Sequence, residues 1–574
     1  MPKRILAIYL FCGYLGAQTV NVPLSHWIYD ILERWETQGY IENVYDHTKP
    51  YSRMEVAEYL SQMSQAYQNN PGKFSDFDRE YLNYCASEFA EELDRLDADF
   101  PPKGEANRFR KWKTTKPLSY IIPDFVYRNN RNFLNKSYRE FTIFVDPILQ
   151  LSNTEVLSTS DTVYQTNHLS NGVLFRGHLG DKLGFYFNFT DNHLSREPDY
   201  PVQDVLEESG WPWLTNRTGE SIDFDENAAY LTYTHKYFSL LFGRDYNQWG
   251  SGHRAQMVLS TNSPIYDQFK LTVQYWRFKF THLTAFLQYV PPEARRSLKS
   301  VDPIDVYWAG NRLEMYLGKG IQLGLTESII YGNQSFRPGY HHPLAFFTSI
   351  EHFYGDRDNT QLSIDLAWRV WPGAKIYGEW FIDDITTSKL GSEWFGNKFG
   401  WQGGLFLVDL LPFIANDFLL EYTRIKPYVY THSFKDFNKY KHYDTILGHY
   451  IGPNSDDLFL RFRSYPQRRL RLQLNLEAYR HGSNPADRNV GGDPDLPHRA
   501  QDSDNVTLLD GRRIERTAFG GEIRYEILRN TFLTFKLHQI DTNNVGQHTT
   551  FSFRIGYNWG HRDEVIRPFQ TARE

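Results

Sequence analysis

The sequence predicts an all-β transmembrane barrel of about eighteen antiparallel strands, preceded by a small periplasmic α-helical region. Three observations favour this fold class. Apolar and polar residues alternate from about residue 140 onward, and short connections alternate with long polar ones along the same region. Aromatic residues make up 16% of the 574-residue chain, yet the mean hydropathy is −0.57. Rings on half-exposed strands fit both values better than rings in a large soluble core.

The first seventeen residues are typical of a secretory signal peptide. Two basic residues precede an apolar run over residues 5–16, and the small residues Gly16 and Ala17 end it. The run is too short to cross a membrane as a helix. The mature chain then keeps one cysteine, Cys85, so we expect no internal disulfide.

Residues 18–100 are predicted to be helical. Apolar side chains recur at the spacing of one helix turn in the first predicted helix, at Ile28, Ile31, Leu32 and Trp35. A second helix begins with a capping box formed by Ser52 and Glu55. A third is predicted from Phe77 to Leu96. Residues 101–140 are predicted to be a linker that leads into the barrel.

Residues 141–560 are predicted to form the barrel, and residues 561–574 a C-terminal tail. One face of each strand is apolar and the other is charged, as Ile376 alternates with Lys375 and Tyr377. Eight short turns join sixteen strands, and a first and a last strand bring the count to about eighteen. Bacterial outer-membrane barrels combine short periplasmic turns, long external loops and an even number of strands.

Composition and motifs argue against several classes of function. The net charge of −7 disfavours a nucleic-acid-binding protein, which needs a basic surface. The chain has no HExxH, GxSxG, P-loop or CxxC pattern, so we expect neither an enzyme nor a bound cofactor. His341 and His342 are adjacent in the sequence and cannot share a face, so we predict no metal site there.

The candidate binding residues follow a change of rhythm at residues 238–254. An alternating apolar run ends there, and Gly, Arg, Asp, Trp and His follow. Carbohydrate recognition combines aromatic faces with carboxylate, amide and guanidinium groups. The predicted polysaccharide contacts are therefore Arg244, Asp245, Trp249, His253 and Arg254, together with Trp211 and Trp213 of another loop. Two alternatives stay open: Arg244 and Asp245 could pair inside the lumen, and Trp249 could belong to the aromatic girdle.

The same stretch carries a family resemblance. GRDYNQWGSGHRAQMVLSTNSP (243–264) resembles the GR-x-x-x-x-WG-x-G…LS-x-N motif of the Wzi-like capsule-assembly family of outer-membrane proteins. Three further segments match that family in order, at 340–347, 355–385 and 448–463. The resemblance implies an eighteen-stranded barrel with a helical region at its periplasmic end. It also implies a lectin-like role, in which the protein retains exported capsular polysaccharide at the cell surface.

A second resemblance concerns the predicted helices. Residues 22–41 and 49–60 are similar to an S-layer-homology module, a unit that holds peptidoglycan or a wall-linked polymer in other proteins. The matching positions are His26, Trp27, Gly39 and Ile41, followed by Arg53, Glu55, Ala57 and Leu60. The alternative is a small helical bundle that packs at the periplasmic mouth of the barrel.

The sequence thus predicts an integral protein of the outer membrane, with surface or capsular polysaccharide and membrane lipid as partners. Three candidate functions are compatible with this prediction. A surface lectin is favoured by aromatic and arginine side chains that cluster in the external loops. A porin-like solute channel is favoured by a lumen that is open from end to end. A tether between the outer membrane and the cell wall would act through the helical region.

Overall fold

A computed structural model describes residues 20–96, 126–129, 131–158, 163–196, 216–217, 221–290, 303–432, 436–443, 445–543 and 545–558. Within them the chain forms a closed barrel of eighteen long strands. Each strand pairs antiparallel with the next, and the last pairs with the first. The predicted fold class is therefore confirmed. The predicted signal peptide and C-terminal tail lie outside the described residues.

The barrel strands, numbered β1 to β18 in chain order, are Phe141–Ser158, Val163–Leu179, Leu183–Arg196, Ser221–His235, Phe238–Asp245, Tyr266–Tyr275, Phe278–Tyr289, Ile304–Gly318, Ile321–Gly332, Asn359–Trp371, Ala374–Asp384, Lys398–Val408, Ala415–Ile425, Ser455–Gln467, Leu470–Ser483, Arg512–Leu528, Thr531–Thr542 and Gly546–Tyr557. The short strand Leu134–Tyr138 leads into β1 and pairs with it. These bounds place the first and last strands where the turn spacing predicts them.

Short and long connections leave the barrel at opposite ends. Two-residue turns join β4 to β5 and β10 to β11, at residues 236–237 and 372–373. Long connections join β9 to β10 and β15 to β16, at residues 333–358 and 484–511. We call these two ends the short-turn end and the long-loop end.

The alternation of side chains along each strand sorts them between the two faces of the wall. On β5, Leu240 and Phe242 point outward, and Phe242 is 67% exposed. Leu241 between them points inward and is buried. On β11, Ile376 is exposed on the outer face, whereas Lys375 and Glu379 are buried inside. Because successive side chains of a strand lie on opposite faces, the apolar face meets lipid and the charged face fills the lumen.

The N-terminal part of the chain folds into a helical module, defined as residues 20–96. Its helices are α1 (Ile28–Gln38), α2 (Arg53–Asn69), α3 (Asp76–Glu88) and α4 (Ala90–Arg95). The Ser52–Glu55 capping box predicted for α2 is present. The predicted third helix is divided at Phe89, which is fully buried in the core of the module with Trp35. Among the described residues, none of the helices has the length and apolar character needed to span a membrane.

The module lies against the short-turn end of the barrel. The Tyr81 hydroxyl donates a hydrogen bond to the Arg468 carbonyl in the turn between β14 and β15. Residues 44–52 of the module continue into the lumen, where Thr48–Lys49 pairs with Gln248–Trp249 of the connection between β5 and β6. The lumen therefore receives one segment from each end.

Candidate functional site in the lumen and on the loops

The connection between β5 and β6, residues 246–265, folds into the barrel, and we call it the inward loop. The two predicted contacts just before it separate onto different faces. Arg244 points outward and pairs with Asp267 of β6 at 3.1 Å. Asp245 points inward and accepts a hydrogen bond from the Asn21 side chain of the helical module at 2.7 Å. The alternative in which Arg244 pairs with Asp245 inside the lumen is therefore excluded, because adjacent strand residues face opposite ways.

The WG pair of the sequence motif, Trp249 and Gly250, belongs to the inward loop. Trp249 is fully buried, and its ring packs edge-on against Trp308 at a centroid distance of 5.4 Å. Trp249 therefore lies in the lumen and not in an aromatic girdle at the membrane surface. Gly250 has φ of +132°, and a Cβ atom there would lie 2.4 Å from Oε2 of Glu379. The WG pair thus needs glycine both for its backbone conformation and for the close approach of Glu379.

His253 connects the inward loop to the helical module. Its Nε2 lies 2.6 Å from a carboxylate oxygen of Glu33 on α1, and its ring stacks on Phe406 at 5.5 Å. Burial alone would raise the pKa of Glu33, but the His253 imidazole and the Lys375 ammonium hold that pKa well below its usual range. Glu33 is therefore ionised and holds the loop and the module together.

Arg254 lies among the acidic and aromatic residues of the opposite wall. Its guanidinium donates to Glu477 at 2.7 Å and to the Tyr450 hydroxyl at 3.0 Å. It also lies over the Phe459 ring at 4.6 Å. These contacts leave Trp249, His253 and Arg254 enclosed by protein groups. The stretch therefore turns inward and does not extend from the barrel, because His253 and Arg254 find their charged partners inside it.

Buried ion pairs dock the helical module onto the barrel. Lys375 of β11 is the centre of one such group, with its ammonium 2.9 Å from Glu33, 3.3 Å from Glu36 and 2.8 Å from Asp46. Arg34 of α1, itself fully buried, pairs with Asp417 and with Asp409 at 2.8 Å. Removing one partner of such a buried pair leaves the other charge buried without compensation, which destabilises the folded protein.

The residues of the S-layer-homology resemblance are used inside the module and at its contact with the barrel. Trp27 packs against Tyr84 at 5.0 Å, and Arg53 pairs with Glu92 at 2.7 Å. Glu55 closes the capping box of α2 and accepts from Lys279 of the barrel at 2.7 Å. Gly39 ends α1 with φ of +78°. His26 accepts a hydrogen bond from the Ile28 N–H at Nδ1.

A group of potential metal ligands lies where the module enters the lumen. Asp46, His47 and Glu314 are buried with ligand atoms within 4.8 Å of one another. Both ring nitrogens of His47 already face carboxylates, because Nε2 lies 3.2 Å from Asp46 and Nδ1 contacts Asp365. Burial alone lowers the pKa of His47, but these two carboxylates raise it above its ordinary value. Each ring nitrogen of His47 thus has a carboxylate partner, and neither is free to bind a metal in this arrangement.

Aromatic residues that the sequence analysis did not select meet at the long-loop end. The connections 385–397 and 484–511 are joined through their backbones, with the Phe395 N–H donating to the Asp504 carbonyl at 2.9 Å. The Phe395 ring stacks on His498 at 3.5 Å and lies next to Trp394 at 5.1 Å. We call Trp394, Phe395, Tyr428, His498 and Arg499 the loop-face cluster.

Charge and partial exposure accompany the rings of the loop-face cluster. Arg499 is exposed and donates two hydrogen bonds to Asp502. Trp394 and Phe395 are half-buried, and Tyr428 supports them from below with its hydroxyl bonded to the Asn489 carbonyl. The adjacent pair Trp394-Phe395 between two glycines was the sequence signal that could have identified this surface. Trp211 and Trp213, which the sequence analysis did select, lie outside the described residues.

Comparisons with known proteins point to one family. The model of the family described as capsule assembly protein Wzi matches residues 139–510. Among solved structures, the chain is similar to Wzi of Escherichia coli, an outer-membrane protein involved in group 1 capsule assembly and described as a carbohydrate-binding β-barrel. The identity is 14%, the TM-score is 0.54, and the match covers 94% of this chain and 100% of that one. No protein in a search of curated proteins matches the sequence.

The barrel of a Pseudomonas aeruginosa protein, OccK1, is a more distant match. Its identity is 9% and its TM-score is 0.42, with 74% of this chain and 99% of that chain covered. OccAB1 of Acinetobacter baumannii is similar at 8% identity and a TM-score of 0.40, with 72% and 96% covered.

Proposed function

The chain belongs to the capsule assembly protein Wzi family, and we propose that it binds exported polysaccharide and retains it at the outer surface of the outer membrane. The barrel would be integral to that membrane, with the short-turn end and the helical module in the periplasm and the long-loop end outside. This orientation follows the rule that short turns of outer-membrane barrels face the periplasm. Polysaccharide would then meet the long loops first.

The observation that carries the proposal is the loop-face cluster. Sugar rings stack on aromatic faces, and their hydroxyl groups bond to carboxylate and guanidinium groups. Trp394 supplies a half-buried aromatic face. The exposed Arg499 guanidinium, held in place by the buried Asp502 carboxylate, supplies a charged hydrogen-bonding group at the same end of the barrel. The residues of the inward loop would act indirectly, since their side chains hold the loops and the module in place.

Trp394→Ala should weaken binding of the protein to polysaccharide. We expect the dissociation constant to rise about tenfold, because loss of a stacked aromatic face costs about 1.5 kcal/mol. The measurement is biolayer interferometry of the detergent-solubilised full-length protein against a panel of purified neutral and anionic bacterial capsular polysaccharides.

Trp276→Ala is the matched control for that experiment. Trp276 is 67% exposed in the turn between β6 and β7, at the opposite end of the barrel. Its removal should leave the dissociation constant unchanged. Equal affinities for the wild type and Trp394→Ala would remove the loop-face cluster from the site. If the wild-type protein bound none of the polysaccharides, the proposed function itself would be overturned.

A porin-like solute channel is the second function that the barrel suggests, and the contents of the lumen argue against it. Open porins of sixteen to eighteen strands keep an aqueous channel. Here the inward loop and residues 44–52 meet inside the barrel, where Thr48–Lys49 pairs with Gln248–Trp249. The wild-type protein in a planar lipid bilayer should therefore show no stepwise conductance. A stable ohmic channel would favour the porin instead.

The tether to the cell wall is the function that the S-layer-homology resemblance suggests. The resembling side chains Trp27, Arg53 and Glu55 are engaged in the module and with the barrel. We propose that Trp27 and Arg53 stabilise the module and that Glu55 docks it on the barrel. Co-sedimentation of the full-length protein with purified peptidoglycan, compared with a variant lacking residues 22–60, separates the two functions.

A further inference from the structure

The connection between β9 and β10, residues 333–358, lies against the outside of the barrel wall, and we call it the wall flap. It contains helix α5, Phe347–Tyr354. Phe347 and Tyr340 of the wall flap pack on Ala309, Ile329 and Tyr331, and all five are fully buried. The three wall residues belong to the outward face, because their neighbours Trp308 and Ile330 pack inside the lumen. The wall flap therefore covers a part of the wall that would otherwise face the membrane.

Polar groups on that part of the wall are satisfied by the wall flap. The Asn311 side chain donates to the Ala345 carbonyl at 2.9 Å, and the Thr348 N–H donates to Glu327 at 3.0 Å. The Thr360 hydroxyl donates to Glu351 of α5. Hydrocarbon offers no hydrogen-bond partners, so these wall residues would be costly against lipid without the flap. The inner side of the wall flap thus matches the wall twice: it packs Tyr340 and Phe347 on apolar wall residues, and it satisfies the polar ones.

The outer side of the wall flap carries three large apolar side chains that face away from the protein. Phe353 is 86% exposed, Leu344 is 84% exposed and Phe346 is 61% exposed. Large apolar side chains on the outward side of a short surface helix are typical of elements that lie in the membrane interface. A cluster of exposed side chains of this size normally marks a contact surface.

The apolar side of the wall flap is continuous with the lipid-facing band of the barrel. On β9, the exposed Leu325 lies two residues before Glu327, which the wall flap covers. On β10, the exposed Leu362 lies two residues after the covered Thr360. On the other flank, Phe336 of the wall flap stacks parallel to the exposed Phe286 of β7. Exposed apolar side chains of the wall therefore border the wall flap on both sides.

We propose that the wall flap is a membrane-contacting element whose exposed apolar side chains insert among the lipid acyl chains on the long-loop side. It would widen the lipid-facing surface next to β9 and shield the polar groups of the wall. The occupant is lipid, since the apolar side continues the surface that lipid already covers. This long connection would then be directed toward the membrane and would not extend into the surrounding polysaccharide.

Spin-label accessibility tests the proposal in the intact barrel. Phe353→Cys is introduced into a chain carrying Cys85→Ala, labelled with a nitroxide, and reconstituted into phosphatidylcholine nanodiscs. Phe242→Cys serves as the lipid-facing reference and Leu390→Cys, in the exposed connection 385–397, as the water-facing reference. Heat-modifiable gel mobility confirms that each variant is folded.

We expect oxygen to collide with the label at Phe353 about as often as with the label at Phe242. The water-soluble nickel chelate should collide with it at least about fivefold less often than with the label at Leu390, because polar solutes are excluded from hydrocarbon. Nickel accessibility equal to that at Leu390 would overturn the proposal. A label at Phe353 that is protected from both probes, and that loses this protection when each nanodisc holds one barrel, would identify a second copy of the chain as the occupant. That result would also overturn the proposal.

Discussion

Lys375→Met should undock the helical module from the barrel. The substitution leaves Glu33, Glu36 and Asp46 buried together without the ammonium that lies within 3.3 Å of each of them. Removing one partner of a buried ion pair costs about 3–5 kcal/mol, so the docking equilibrium should weaken by a factor of about a hundred to several thousand. Hydrogen exchange of α1, followed by mass spectrometry on the full chain in detergent, measures this directly.

Two variants control for other effects of that substitution. Lys375→Arg keeps the positive charge and should retain most of the protection of α1 from exchange. Lys319→Met makes the same chemical change in an exposed turn at the same end of the barrel and should leave the protection unchanged. If Lys375→Met exchanged like the wild type, the ion pairs would not be what holds the module.

Acidification should destabilise the helical module through His26. Burial lowers the pKa of His26 to about 4, from an ordinary value of 6.5. The Nδ1 atom accepts the Ile28 N–H at 3.2 Å at the start of α1, and it can do so only while unprotonated. Between pH 6.5 and about pH 4, His26 binds a proton in the unfolded module but not in the folded one. The free energy of unfolding therefore decreases as the pH falls through this range, and His26 does not change it above pH 6.5.

The decrease in the free energy of unfolding has an upper limit of about 3 kcal/mol, since one pKa unit corresponds to about 1.4 kcal/mol. We expect a decrease of about 2 kcal/mol because the His26 ring is only half-buried. Exchange protection of α1, corrected for intrinsic rates, should fall between pH 6.5 and pH 4.5. His26→Asn keeps a side-chain acceptor without a titrating group and should remove most of this decrease. His352→Asn, an exposed histidine of α5, should leave it intact. An identical decrease in His26→Asn would assign the acid sensitivity to other groups.

The barrel could be predicted from the sequence because its determinants are local. Each strand shows its two faces within a few residues, as Lys375, Ile376 and Tyr377 do, since successive side chains lie on opposite sides of the wall. The turns are equally local, and their alternation in length sets the strand count. The capping box at Ser52 and Glu55 is local for the same reason and was also predicted correctly.

The candidate site could not be predicted in the same way. His253 is predicted from its motif as a polysaccharide contact, but its partner Glu33 is 220 residues away in the sequence. Arg254 likewise pairs with Glu477, 223 residues away. The loop-face cluster arises because the connections 385–397 and 484–511 come together, which neither segment shows by itself.

The sequence by itself determined the strands, their two faces, the strand count and the family, because each depends on short-range alternation or on a contiguous motif. Only the tertiary structure decided where the long connections go. A polar, glycine-containing connection such as residues 246–265 can extend into water or turn inward, and its own residues satisfy either outcome equally well. Closure of the barrel brings Glu379 and Glu477 to one lumen, and docking of the helical module adds Glu33. These distant carboxylates draw the connection inside.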